Sequence, residues 1–153
     1  MQPPASAFET VLLDERAVSH HDVANLRRHA ERHQVPPADA LVALGLMAEG
    51  DAYGLLARAT GLPLVPLEDA QPSELALRLV PERLARRHMV VPLQVDNRTL
   101  TYATCRPFDI EAERDLSFAS GRSTSSVLAT RSAVLAALDR VYPKLRELEG
   151  LAD

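Results

Sequence analysis

Residues 84–104 read LARRHMVVPLQVDNRTLTYAT, and the fold turns on how they are divided. The opening LARRH closes a short helical pattern over 82–88, with Pro81 near its start, where a missing N–H costs little. MVVPLQV (89–95) and TLTYATC (99–105) are rich in β-branched and aromatic residues. Asp96-Asn97-Arg98 between them suits a short hairpin loop. Pro92 cannot donate to a ladder, which assigns the first strand to a sheet edge or a bulge.

Downstream, Asp109 can cap a helix to about Ser120, with Ala112, Leu116 and Ala119 inward and Gly121 as its stop. SSVLAT (125–130) reads as a third strand. Thr130 or Ser132 then starts a last helix, with Val134, Leu135, Leu138, Val141 and Tyr142 on one face. The order β-β-α-β-α describes a small layer whose sheet needs a helix to cover it.

Upstream, LPLVPLEDAQPS (62–73) holds three prolines and has no helical period, so it reads as an extended connection, with a short helix at 73–79. Before it lie helices. Phe8, Val11, Leu12 and Leu13 form a stripe over 7–15. Ser19 and Asp22 form a capping box for a helix from His20 to His33, whose apolar face is Val23, Leu26 and Ala30. Pro37 suits the first turn of a third helix ending near Leu44, with Gly45 at its C′ position, and a fourth runs from Glu49 to Thr60 before Gly61. The two helical pairs overlay at a spacing of 29 residues: Leu13 on Val42, Val18 on Met47, Asp22 on Asp51, Leu26 on Leu55. The expected fold class is α+β: an N-terminal small helical bundle of two helical hairpins, followed by a small β-β-α-β-α layer. The expected divisions are a helical subdomain (1–61), a connector with a short helix (62–80) and a small α/β subdomain (81–153).

Composition narrows the function. Of 153 residues, 46% are hydrophobic and 25% charged, as in ordinary globular domains. A net charge of −4 argues against a general nucleic-acid binder, which needs a basic excess. Cys105 is the single cysteine, so no internal disulfide forms, as suits a reducing compartment. MQPPASAFET has neither the basic nor the apolar region of a signal peptide, and no apolar run approaches the roughly 18 residues of a spanning helix. A cytoplasmic location is expected, with membrane contact through a partner and no direct insertion.

Catalytic chemistry is sparse. The six glycines never form the Gly-rich stretch followed by Lys-Ser/Thr that cradles phosphates. His29 and His33 have i, i+4 metal-binding spacing, but Arg27, Arg28 and Arg32 surround them and repel a cation. Cys105 with His88 would make a nucleophile and base, yet the two are expected near opposite ends of the hairpin. The Ser/Thr run 123–126 has no Ser-His-Asp companion, and Glu111 and Glu113 point to different helix faces. No catalytic residue, metal or cofactor is expected.

Three segments together carry a family likeness: GLPLVPL, LARRHMVVPLQVDNRTLTYAT and PFDIEAERDLSFASGR, followed by VLATRSAVLAALDRVY. From about Phe8 to Tyr142 the chain resembles the N-terminal domain of type II secretion and type IV pilus assembly ATPases, the E-type proteins, a module also found ahead of other bacterial domains, including some glycosyltransferases. The resemblance implies a helical subdomain for regulation or docking beside a small α/β one. It implies a non-catalytic docking or regulatory domain that binds the cytoplasmic part of an inner-membrane secretion or pilus assembly protein, and so sits peripherally at the inner membrane. The basic clusters Arg27, Arg28, Arg32 and Arg83, Arg86, Arg87 are the candidate docking residues.

Some members of that family bind cyclic di-GMP through two tandem motifs at the same 29-residue spacing, each opening with Arg-Leu-Gly. Here those positions hold Ala7-Phe8-Glu9 and Pro36-Pro37-Ala38, and Glu9 adds a negative charge where phosphates would lie. Phe8, Leu12, Val23 and Leu41 are the candidate contacts if the chain is a cyclic di-GMP receptor instead. A third alternative is a regulatory module of a glycosyltransferase or signalling protein.

Overall fold

The computed structural model describes residues 5–152, and the chain divides into two compact units, one ending at Leu64 and one beginning at Val65.

The first unit is helical: α1 (Ala5–Asp14), α2 (His20–His33), α3 (Pro37–Ala43) and α4 (Glu49–Thr60). The capping box forms as the sequence predicts, with Ser19 Oγ accepting from Asp22 N and Asp22 Oδ2 accepting from Ser19 N, both at 3.1 Å. Pro37 occupies the first turn of α3. Gly45, at φ 72°, stops α3: its N–H donates to Val42 O, and the N–H of Leu46 donates to Leu41 O, each at 3.0 Å. That pair of bonds is a Schellman motif. The same motif closes α1, with Arg16 N to Leu13 O and Ala17 N to Leu12 O, again at 3.0 Å. Arg16 therefore stands in the left-handed region (φ 54°) at the position that Gly45 holds 29 residues later. The repeat is thus one of backbone geometry as well as of pattern. α1 packs on α4, α2 on α3 and α3 on α4. Their shared interior holds Phe8, Leu12, Val23, Leu26, Leu41, Tyr53 and Leu56.

The second unit contains α5 (Glu74–Leu79), α6 (Glu82–His88), β1 (Val90–Val95), β2 (Thr99–Thr104), α7 (Ile110–Ser120), β3 (Ser123–Leu128) and α8 (Arg131–Ala152). The sheet order is β1-β2-β3, with β1 antiparallel and β3 parallel to β2. Pro92 lies on an edge strand, and the register shifts between Pro92 and Gln94, which answers its missing N–H. Helices α5, α6 and α8 pack on β1, and α7 packs on β3. The α+β class and the β-β-α-β-α order are as expected.

Three details differ from the sequence reading. Met89 is not in the first strand; at φ 55° it closes α6. The third strand is 123–128 rather than 125–130, because Ser123 and Thr124 pair in register with Thr99 and Leu100. Thr130 instead caps α8, its Oγ1 accepting from Ala133 N at 3.2 Å. Leu135 is 39% exposed, so the inward face of α8 is Val134, Ala137, Leu138, Val141, Tyr142 and Leu145.

Two buried phenols brace this unit. Burial holds both above the usual tyrosine value, Tyr102 at about 12, so each remains a neutral donor. Tyr142 Oη donates to Val80 O at 2.7 Å across 62 residues. Tyr142→Phe is expected to cost about 1 kcal/mol, because a buried carbonyl loses its donor. Hydrogen exchange of α8 amides checks this, and unchanged protection would refute it.

Candidate functional site

The helical unit brings together the positions that the resemblance marks for ligand binding. Phe8 and Leu12 come from α1, Val23 from α2 and Leu41 from α3, and each is 6% exposed or less. They are inward residues of the stripes that hold the bundle closed.

Glu9, on the same inward turn of α1, is 7% exposed. Its carboxylate is met by the Arg27 guanidinium of α2 in a two-point bond, Nε to Oε1 at 2.7 Å and Nη2 to Oε2 at 2.5 Å. That hydrogen bonding holds the Glu9 carboxyl below its ordinary range, outweighing the opposing effect of burial, and raises Arg27 in turn. Sequence reasoning missed the pair. Its signal lies in spacing: Glu9 falls three residues before Leu12, and Arg27 four after Val23, so opposite charges sit on two facing apolar stripes. In the second copy, Pro36 and Pro37 have no N–H to offer, and Ala38 is 1% exposed.

The six candidate docking arginines fare differently. Arg27 is committed to Glu9. Arg28 Nη2 donates to the uncharged Asn25 Oδ1. Arg32 meets no carboxylate among the described residues. On α6, Arg86 is bound to Glu82 and Asp139, and Arg87 to Glu111 at 3.1 Å, leaving Arg83 without an ion pair among the described residues. The α6 cluster is therefore largely neutralised, and two of the three candidates that meet no carboxylate, Arg28 and Arg32, lie on α2.

Arg28, His29, Arg32 and His33 line an open hollow of about 340 Å³, with Leu44 and Leu46 from the turn between α3 and α4 on its other side. The His29 and His33 rings lie 4.3 Å apart, and among the described residues no group of three His, Cys, Asp or Glu gathers for a metal.

The expected separation of His88 from Cys105 is corrected. β1 and β2 are antiparallel, with Val90 opposite Thr104, so residues 88 and 105 flank the same open end of the hairpin. His88 Nε2 is nevertheless bound to Asp115 Oδ2 at 2.9 Å, and Cys105 is fully buried. Glu111 is an ion-pair partner rather than half of an acid/base pair. Among the described residues no helix is long and apolar enough to cross a membrane.

Residues 60–148, more than half of the chain, match the MshEN domain. The chain belongs to the MshEN domain family. A relative from Myxococcus xanthus (strain DK1622), the type IV pilus assembly ATPase PilB, is 27% identical over 144 residues, covering 92% of this chain and 25% of PilB. The chain thus spans about a quarter of that relative's length. Among solved structures, MshE with cdg superposes at a TM-score of 0.76, with 25% identity, over 88% of this chain and 98% of that one. The N-terminal domain of XpsE superposes at 0.73 over 93% and 98% of the two chains, and at 22% identity it shows the shared fold alone.

Proposed function

We propose that this MshEN domain is a non-catalytic docking domain of a type IV pilus or type II secretion ATPase, binding the cytoplasmic part of an inner-membrane assembly protein. The observation that carries the reading is the Glu9–Arg27 pair. Where a dinucleotide grip needs a cation and an approachable glycine, this chain has a buried carboxylate already matched to its own arginine. The second copy offers prolines. What the helical unit leaves open to others is the cationic flank of α2, which suits a partner surface. The likeness to a pilus assembly ATPase along 92% of the chain supports the motor context.

A cyclic di-GMP receptor is the second reading. It is favoured by the likeness to MshE, solved with cdg, and by the 29-residue repeat with its matched Schellman turns. In that reading Phe8, Leu12, Val23 and Leu41 would contact the bases, which requires the bundle to open, because all four are buried.

Calorimetric titration of the whole chain decides between them. Docking predicts no saturable heat with micromolar cyclic di-GMP and co-elution with the cytoplasmic domain of the assembly protein. Stoichiometric nucleotide binding without co-elution would reverse the assignment.

A further inference from the structure

We propose that the outer flank of α2 seats an acidic amphipathic helix of the partner, with its carboxylates on Arg28 and Arg32 and an apolar side chain against Leu44 and Leu46. This rests on the docking reading and adds the surface and the chemistry of what covers it.

The flank is cationic on a chain of net charge −4. Arg28 and Arg32 are one helical turn apart, about 6 Å between Cβ atoms, which is also the spacing of two carboxylates at i, i+4 on a facing helix. Both are exposed, and among the described residues neither meets a carboxylate. Asp22, at the edge of the hollow, is already held in the capping box. The paired rings of His29 and His33 wall the hollow beside the arginines, and Leu44, 37% exposed, borders it with Leu46. Two exposed cations one helical turn apart beside exposed aliphatic carbon are the complement of an acidic, amphipathic face.

The backbone argues against a phosphate in the same place. Compact phosphate seats add free N–H groups at helix N-termini or in turns to their arginines and lysines. Here the α2 N-terminus already carries the Asp22 carboxylate, and the N–H groups of Gly45 and Leu46 are spent on Val42 O and Leu41 O. The donors left over are side chains in a line, which suit a line of carboxylates.

The test uses the whole chain and a fluorescein-labelled helical peptide of about 18 residues, with leucines on one face and flanking glutamates at i, i+4. Fluorescence anisotropy is expected to show saturable binding that weakens at about 0.5 M salt. R28E/R32E is expected to weaken it about tenfold or more and to gain binding of the lysine version of the peptide. Leu44→Asp, which changes no arginine, is expected to weaken it as well. All three positions are exposed, and far-ultraviolet circular dichroism confirms folding. No saturable binding, or equal binding by R28E/R32E, overturns the inference. So does cyclic di-GMP displacing the peptide from the unmodified chain. If the assembly protein's cytoplasmic domain binds R28E/R32E as well as it binds the unmodified chain, docking stands and this face is wrong. If it binds neither, docking fails while the peptide still decides the face.

Discussion

Replacing Leu41 by alanine is expected to destabilise the helical unit by about 2–5 kcal/mol, a loss large enough to unfold it on its own. Leu41 is fully buried, and its carbonyl accepts the Leu46 N–H that closes α3, so truncation opens a cavity beside the turn where α3 gives way to α4. A leucine whose task is to pack on a nucleotide base behaves otherwise: truncation lowers ligand affinity and spares the fold. The measurement is hydrogen–deuterium exchange of peptides from α1 to α4, with those of the second unit as the internal reference. Loss of protection in the first unit alone is the expected result. Leu135→Ala serves as a control, because that side chain is 39% exposed and its loss should stay within about 0.5 kcal/mol. Unchanged protection in L41A would return Leu41 to the ligand-binding reading.

Much of this fold is written in local chemistry. The Ser19–Asp22 box, the Asp109 cap and the glycine stops at 45, 61 and 121 each act within a few residues, and each marks a boundary the structure shares. The repeat was legible for the same reason, since both Schellman turns follow from neighbouring residues. Where the reading failed, a distant partner decided. Ser123 has little strand preference and Thr124 alone adds no apolar run to mark a strand start, yet pairing beside β2 makes both strand. Leu135 continues an apolar pattern but falls outside the arc of α8 that the sheet covers. The candidate site is less legible than the fold. Its governing contact joins residues 18 apart in sequence, the His88–Asp115 bond joins residues 27 apart, and Arg140 reaches the carbonyl of Leu67 from 73 away. A helix pattern flags an inward charge but does not name its partner. Arg27 shows the consequence: it reads as one of three surface cations, and the bundle turns it into the counter-charge of a buried acid.

Arg27→Met should therefore destabilise the helical unit and invert the contribution of Glu9 to its pH response. Methionine keeps the helix preference and the aliphatic stem, so the lost quantity is the guanidinium. In the unmodified chain Glu9 lies below its reference value of 4.5, with the Arg27 hydrogen bond as the largest cause. A depressed folded value means that the pair contributes stability above pH 4.5, and that this is lost as pH falls through the lower folded value. Without Arg27 the remaining influence is burial, which raises the carboxyl instead. A raised folded value reverses the sign: the variant is relatively stable below pH 4.5 and loses stability as pH climbs through the raised value. Denaturant unfolding between about pH 3 and pH 7, followed by exchange in α1 and α2, reads the two slopes. Relative to E9Q/R27M, which has no carboxyl at that position, acidification should weaken the unmodified chain more and R27M less. Parallel pH profiles for the unmodified chain and R27M would show that Arg27 does not govern the buried carboxylate, and the strongest argument against a dinucleotide grip at the first motif would fall with it.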